Sequence, residues 1–131
     1  MTARILCVED NPQNMRLVRK MLRQDYTVLE AEDGATGLRL AEEEMPDLIL
    51  MDINLPDIDG TEVTKRIKAQ DHLKHIPIIA LTANAMFGDE EKYLAAGHDG
   101  YIAKPVTRAV LLAEITRFLK MGTAEERETR N

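Results

Sequence analysis

The run Leu48-Ile49-Leu50-Met51, cut off by Asp52, constrains this 131-residue chain more than any other stretch. It is short enough for a strand and apolar at consecutive positions, so both of its faces need cover. A central strand of a parallel sheet, with helices on each side, meets that demand. The carboxylate that ends the run is costly to bury unless it is paired or metal-bound. Asp52 is therefore expected at the strand's C-terminal edge, where open α/β sheets keep their ligand crevice.

Four further runs repeat the pattern. Arg4-Ile5-Leu6-Cys7-Val8 leads into Glu9-Asp10-Asn11-Pro12, a capped helix start with proline where its missing N–H costs nothing. That helix is expected to reach about Gln24, with Met15, Val18, Met21 and Leu22 at helical spacing. Thr27 to Ala31 reads as a strand, and Glu32-Asp33-Gly34 turns into a helix that ends before Pro46. After Asp52, Leu55 to Gly60 is turn chemistry, and Thr61 to Ala69 is a helix with Val63 and Ile67 facing inward. Ile76 to Thr82 is a fourth strand with Pro77 at its start. Asp89 to Ala96 is a short helix that Gly97 closes. Tyr101 to Ala103 is a brief fifth strand before Lys104-Pro105. Thr107 caps a last helix bearing Val110, Leu111, Ile115, Phe118 and Leu119. Alternating strands and helices predict an α/β fold, a doubly wound five-stranded parallel sheet with helices on both faces. Residues 1–121 are expected to form one domain, and the polar stretch 122–131 a disordered tail.

The totals narrow the function classes. A formal net charge of −6 with no basic block argues against nucleic acid as a direct partner. No apolar run approaches the ~20 residues of a membrane span, and no signal-peptide pattern opens the chain. The single cysteine, Cys7, lies in the first apolar run and is expected to be a buried free thiol. A cytoplasmic location is the expectation.

The chemistry gathers at strand ends. Glu9 and Asp10 follow the first strand, Asp52 closes the third, Thr82 the fourth, and Lys104 follows the fifth. In a parallel sheet these ends share one edge. Three carboxylates there would repel one another and raise their pKa values. A hard divalent cation, Mg²⁺ in near-octahedral oxygen coordination, resolves that conflict. Lys104 and the Thr82 hydroxyl then suit an anion sharing the site. Each residue has an ordinary alternative, since strands end at the surface and acidic groups favour helix N-termini. The joint pattern favours the site.

Val8-Glu9-Asp10-Asn11, Pro46 to Asp52 with Pro56 and Gly60 following, Ala80-Leu81-Thr82-Ala83, and Tyr101-Ile102-Ala103-Lys104-Pro105 occur in order between about Arg4 and Lys120. Together they resemble the receiver domain of two-component response regulators. The resemblance implies the flavodoxin-like (CheY-like) sheet order 2-1-3-4-5. It makes Asp52 the phosphoacceptor, attacking the phosphorus of a partner's phosphohistidine to give an acyl phosphate. Asp10 and Asp52 would ligate Mg²⁺, with Mn²⁺ as a substitute, joined by the Asn54 backbone carbonyl and by Glu9 through water. Lys104 would pair with a phosphoryl oxygen, and its bond to Pro105 is expected to be cis. Thr82 and Tyr101 would form a switch pair, although a plain packing role for Tyr101 stays open. Asn54 and Asn84 flank the site as modulators of slow self-hydrolysis.

Asp10 to Met15 and Thr82 to Glu91 resemble phosphorelay receivers and stand-alone regulators of the DivK kind. Met86 and Phe87 suit either a docking surface or the core of a short helix. The expected partners are a histidine kinase or histidine phosphotransfer protein and a downstream protein target, with the chain a monomer or a phosphorylation-dependent dimer. A receiver segment of a hybrid histidine kinase is the alternative. The chain is expected to be a phosphoacceptor rather than a turnover enzyme. A haloacid-dehalogenase-type phosphatase would carry its nucleophile after the first strand with an acid two residues on; Pro12 follows Asp10 there, and Asn54 follows Asp52. A flavin carrier would need a Ser/Thr/Gly-rich loop after the first strand. An atypical receiver that is never phosphorylated would not need the full set of chemical residues.

Overall fold

The computed structural model describes residues 2–83 and 89–121. The expectations for Asn84, Met86, Phe87 and the tail lie outside the described residues. In chain order the elements are β1 (Arg4–Val8), α1 (Pro12–Leu22), β2 (Thr27–Ala31), α2 (Gly34–Glu44), β3 (Leu48–Asp52), α3 (Gly60–Lys68), β4 (Ile78–Thr82), α4 (Asp89–Ala95), β5 (Gly100–Ala103) and α5 (Arg108–Met121). The five strands form one parallel sheet in the order β2-β1-β3-β4-β5, which bears out the expected architecture.

Every residue of β3 is buried, which is what an apolar run needs when helices cover both faces. Side chains alternate between two cores. Leu48 and Leu50 pack with Cys7 of β1 and with Val18 of α1 and Ile115 of α5. Ile49 and Met51 point the other way, toward Ala41 of α2 and Val63 and Ile67 of α3. Burying each such aliphatic side chain contributes roughly 1.5–3 kcal/mol. Packing of this kind, more than propensity, holds α1, whose 11 residues fall short of the ~12–15 an isolated helix needs.

The helix starts follow the sequence closely. The Asn11 side chain accepts hydrogen bonds from the Gln13 and Asn14 amides at 2.9 and 3.1 Å, with Pro12 opening α1. Asp33 caps α2 through the Thr36 amide, and Asp59 caps α3 through the Thr61 amide. Gly97 sits at φ +109°, the left-handed conformation that lets the chain leave α4.

Some details differ from expectation. α1 stops at Leu22, not Gln24. β4 begins at Ile78 rather than Ile76: the Ile76 amide donates to the Leu73 carbonyl of the preceding turn, its carbonyl accepts from Lys68 Nζ at 2.8 Å, and Pro77 has no N–H to offer a ladder. Val110 is exposed, while Leu73, in the turn before β4, is fully buried.

Candidate functional site

The C-terminal edge of the sheet collects the residues that the sequence singled out. Glu9 and Asp52 are 1% and 2% exposed, whereas Asp10 beside them is exposed. One carboxylate oxygen from each of the three lies within 4.8 Å of the others, a donor set suited to a hard cation. Lys104 Nζ lies 2.9 Å from Glu9 Oε1 and 3.3 Å from Asp52 Oδ1. The Asn54 amide donates to Asp52 Oδ1 at 3.1 Å. The Lys104–Pro105 peptide is cis.

The charges in this cluster answer one another. Burial raises the pKa of Asp52, and the facing Glu9 carboxylate raises it further, against the pull of Lys104. Burial also opposes ionisation of Glu9, yet hydrogen bonding to Asp52 and Lys104 outweighs it and holds that carboxyl below its ordinary value. Lys104 is desolvated too, but its two acidic neighbours keep its pKa raised. The pair therefore divides its roles: Glu9 carries the charge that Lys104 neutralises, and Asp52 holds a proton more readily than an exposed aspartate does. Cys7, beneath them in β1, is pushed up by burial and by Glu9 and is a packed thiol.

Close packing fixes the loop that follows Asp52. Gly60 opens α3 directly against it: a Cβ at Gly60 would lie 2.0 Å from the Asp52 carbonyl oxygen. The Gly60 amide donates to the Ile53 carbonyl at 2.9 Å. Farther along the loop, Asp57 accepts from the Gly34 and Ala35 amides at 2.7 and 3.0 Å, bracing the loop on the N-terminus of α2. Those bonds lower the Asp57 pKa.

Thr82 closes β4 at the same edge of the sheet. Its side chain is buried, and its Oγ1 lies 2.8 Å from the hydroxyl of Tyr93 on α4. Tyr101, partly buried, has its ring centroid 6.1 Å from that of Tyr93. Tyr93 was not legible as a site residue, since nothing in its local sequence marks a partner eleven residues upstream. The same holds for His98, whose ring nitrogens lie 3.3 Å from the hydroxyls of Thr61 and Thr64 on α3. Asp99 was also missed; it accepts from the Ile78 amide and from Lys68 Nζ, each at 2.8 Å.

The sequence pattern of the response regulator receiver domain matches residues 5–116. The chain belongs to that family. It is 44% identical over 120 residues to the polar-differentiation response regulator DivK of Brucella ovis, covering 91% of this chain and 98% of that protein. Among solved structures, it is similar to the receiver domain of a sensor histidine kinase from Pseudomonas aeruginosa, which has a magnesium ion coordinated in its active-site cleft. The two share 45% identity at a TM-score of 0.84, over 92% of this chain and 99% of that one. The chemotaxis response regulator CheY4 of Vibrio cholerae superposes with a TM-score of 0.84 at 30% identity, over 89% of this chain and 98% of that one. The chain is thus a DivK-like receiver domain, a signalling module of the two-component type. Among the described residues no helix is long and apolar enough to cross a membrane.

Proposed function

We propose that this receiver accepts a phosphoryl group on Asp52 from a phosphohistidine and signals through the protein contacts that follow. The observation that carries the reading is the buried Glu9–Asp52–Lys104 cluster with Asp10 at its rim. An Asp52 oxygen attacks phosphorus, the P–N bond to the donor imidazole breaks, and the released imidazole takes up a proton. Lys104, already between Glu9 and Asp52, is placed to meet the incoming phosphoryl oxygens. The acidic set suits Mg²⁺, with Mn²⁺ as a substitute: Asp10 and Asp52 would hold it directly, with the Asn54 carbonyl and, through water, Glu9. Bound there, the ion would offset charge on the phosphoryl oxygens.

Asp52 is modified rather than returned, so the acyl phosphate is a state of the protein with slow hydrolysis, not a turnover product. The donor is a histidine kinase or a histidine phosphotransfer protein, and the output is a downstream protein target. We read the module, residues 1–121, as cytoplasmic. Its likeness to DivK over nearly that protein's whole length favours a stand-alone regulator. Its likeness to a sensor kinase's receiver supports a second reading, a receiver within a hybrid kinase, which the intact reading frame of the gene decides.

The test is incorporation of one acid-labile phosphate from acetyl phosphate in the presence of Mg²⁺. Wild type should be labelled and Asp52→Asn should not. Labelling retained in Asp52→Asn would overturn the reading.

A further inference from the structure

We infer that Tyr93 is a positioning residue for the phosphoryl-accepting reaction: its hydroxyl latches Thr82 on the α4 side of the sheet and sets the cost of moving that threonine toward Asp52. The inference rests on the phosphoacceptor reading of Asp52. Four observations carry it. The Thr82 Oγ1 to Tyr93 Oη distance is 2.8 Å, either hydroxyl being able to donate. Both residues are buried, Thr82 at 2% and Tyr93 at 5% exposure, so neither hydroxyl can exchange its partner for bulk water in place. The Glu9, Asp52 and Lys104 side chains meet one another, while the Thr82 hydroxyl is bonded to Tyr93 of α4. Finally, the Tyr93 ring is held from two more sides. His98 meets it edge-on, with centroids 5.9 Å apart and planes at 83°, and Tyr101 lies against it tilted by 38°.

A held ring makes the hydroxyl a fixed partner rather than a mobile one. In the proposed exchange the Thr82 hydroxyl leaves the Tyr93 hydroxyl to bond an anion at Asp52. The new bond to a charged acceptor is stronger than the neutral one it replaces, so the exchange is favourable only once the anion is present. Tyr93 then loses its partner while its ring still touches Tyr101, which links the exchange to the aromatic residue on β5. His98, bonded to both threonines of α3, backs the ring and limits where it can go. The latch resists the displaced state by the net worth of one buried hydrogen bond. Removing only the hydroxyl should therefore shift the balance by about three- to tenfold.

The probe is beryllofluoride, a phosphoryl mimic, titrated by calorimetry into the full chain at saturating Mg²⁺. Tyr93→Phe keeps the ring and removes the latch. It should bind beryllofluoride about three- to tenfold more tightly than wild type, with Mg²⁺ affinity unchanged. In a Thr82→Ala background the same substitution should have no effect, a coupling that a merely structural role for the ring would not produce. Urea midpoints of all four proteins confirm that each is folded at the assay temperature. Unchanged or weaker beryllofluoride binding by folded Tyr93→Phe would overturn the latch. An equal gain in the Thr82→Ala background would overturn it as well. Failure of wild type to bind beryllofluoride would instead overturn the phosphoacceptor reading, and the latch with it.

Discussion

Acidification should weaken this fold through His98, by an amount that the structure sets. The imidazole is 2% exposed, bonded on both nitrogens to hydroxyls of α3, and covered by the Tyr93 ring. Burial lowers its pKa from 6.5 to about 4; Asp99 and Asp59 oppose that shift, and Lys68 adds to it. As pH falls, the unfolded chain protonates this histidine near 6.5, while the folded chain resists protonation down to about 4. Within that window the unfolded state binds more protons, so stability is lost as pH drops. At ~1.36 kcal/mol per pH unit the loss reaches ~2 kcal/mol near pH 5 and ~3 kcal/mol once both states are protonated. Urea denaturation of wild type and His98→Gln at about pH 8 and pH 5 measures it. Gln can bond the same threonines and does not titrate, and carboxylates common to both proteins cancel in the difference. Wild type should lose ~2 kcal/mol more than the variant across that interval. Equal losses would refute a buried, neutral imidazole as the source.

Two further outcomes bear on the site itself. Gly60→Ala drives a Cβ to within 2.0 Å of the Asp52 carbonyl oxygen and 2.9 Å of Ile53 Cα, so the loop must shift at a cost of ~1–3 kcal/mol in urea unfolding, with weakened Mg²⁺ binding by calorimetry. Wild-type values on both counts would show that the loop has slack. Asp52→Asn removes one of two facing buried carboxylates. Because burial and Glu9 raise the Asp52 pKa above its unfolded value, its ionisation costs stability as pH rises. The Asn variant, free of divalent ions, should thus melt higher than wild type near pH 8, with the advantage shrinking toward pH 5. A lower melting temperature near pH 8 would refute the repulsion argument.

Much of this molecule was legible because its signals are local. A cap such as Asn11 acts on amides two and three residues away, and an apolar run such as Leu48 to Met51 declares its own burial. Element order followed, and with it the shared edge that brings Glu9 to Asp52 and Lys104. The parts that stayed hidden depend on long-range pairing. His98 meets α3 across 34 and 37 residues, and Asp57 braces α2 across 22 and 23. Lys68 reaches from α3 to the Lys74 and Ile76 carbonyls ahead of β4. None of these partners is marked by type or spacing in the chain.

Strand register fixes the face from which Thr82 reaches the shared edge. Val8 pairs with Met51, so Glu9 stands level with Asp52 across the sheet; Asp52 itself pairs with Leu81, and Thr82 with Ala103. Side chains alternate along each strand. Asp52 shares its face with Leu48 and Leu50, Glu9 continues the face of Ile5 and Cys7, and Lys104 that of Ile102; all five apolar residues belong to the core under α1 and α5. Thr82 shares its parity with Ile78, which packs in the opposite core. Moving β4 by one residue against β3 would turn Thr82 to the acidic side and reverse both apolar faces. The sequence could not choose between these registers, because Ile78-Ile79-Ala80-Leu81 is apolar at every position and carries no period of two. What selects one is packing: Ile79 and Leu81 fill the α1–α5 core while Ile78 fills the other. Such a slip would misplace every buried side chain of β4. A rearrangement that brings the Thr82 hydroxyl to Asp52 must therefore occur at the strand's last residue, against the Tyr93 bond, with the ladder below it intact.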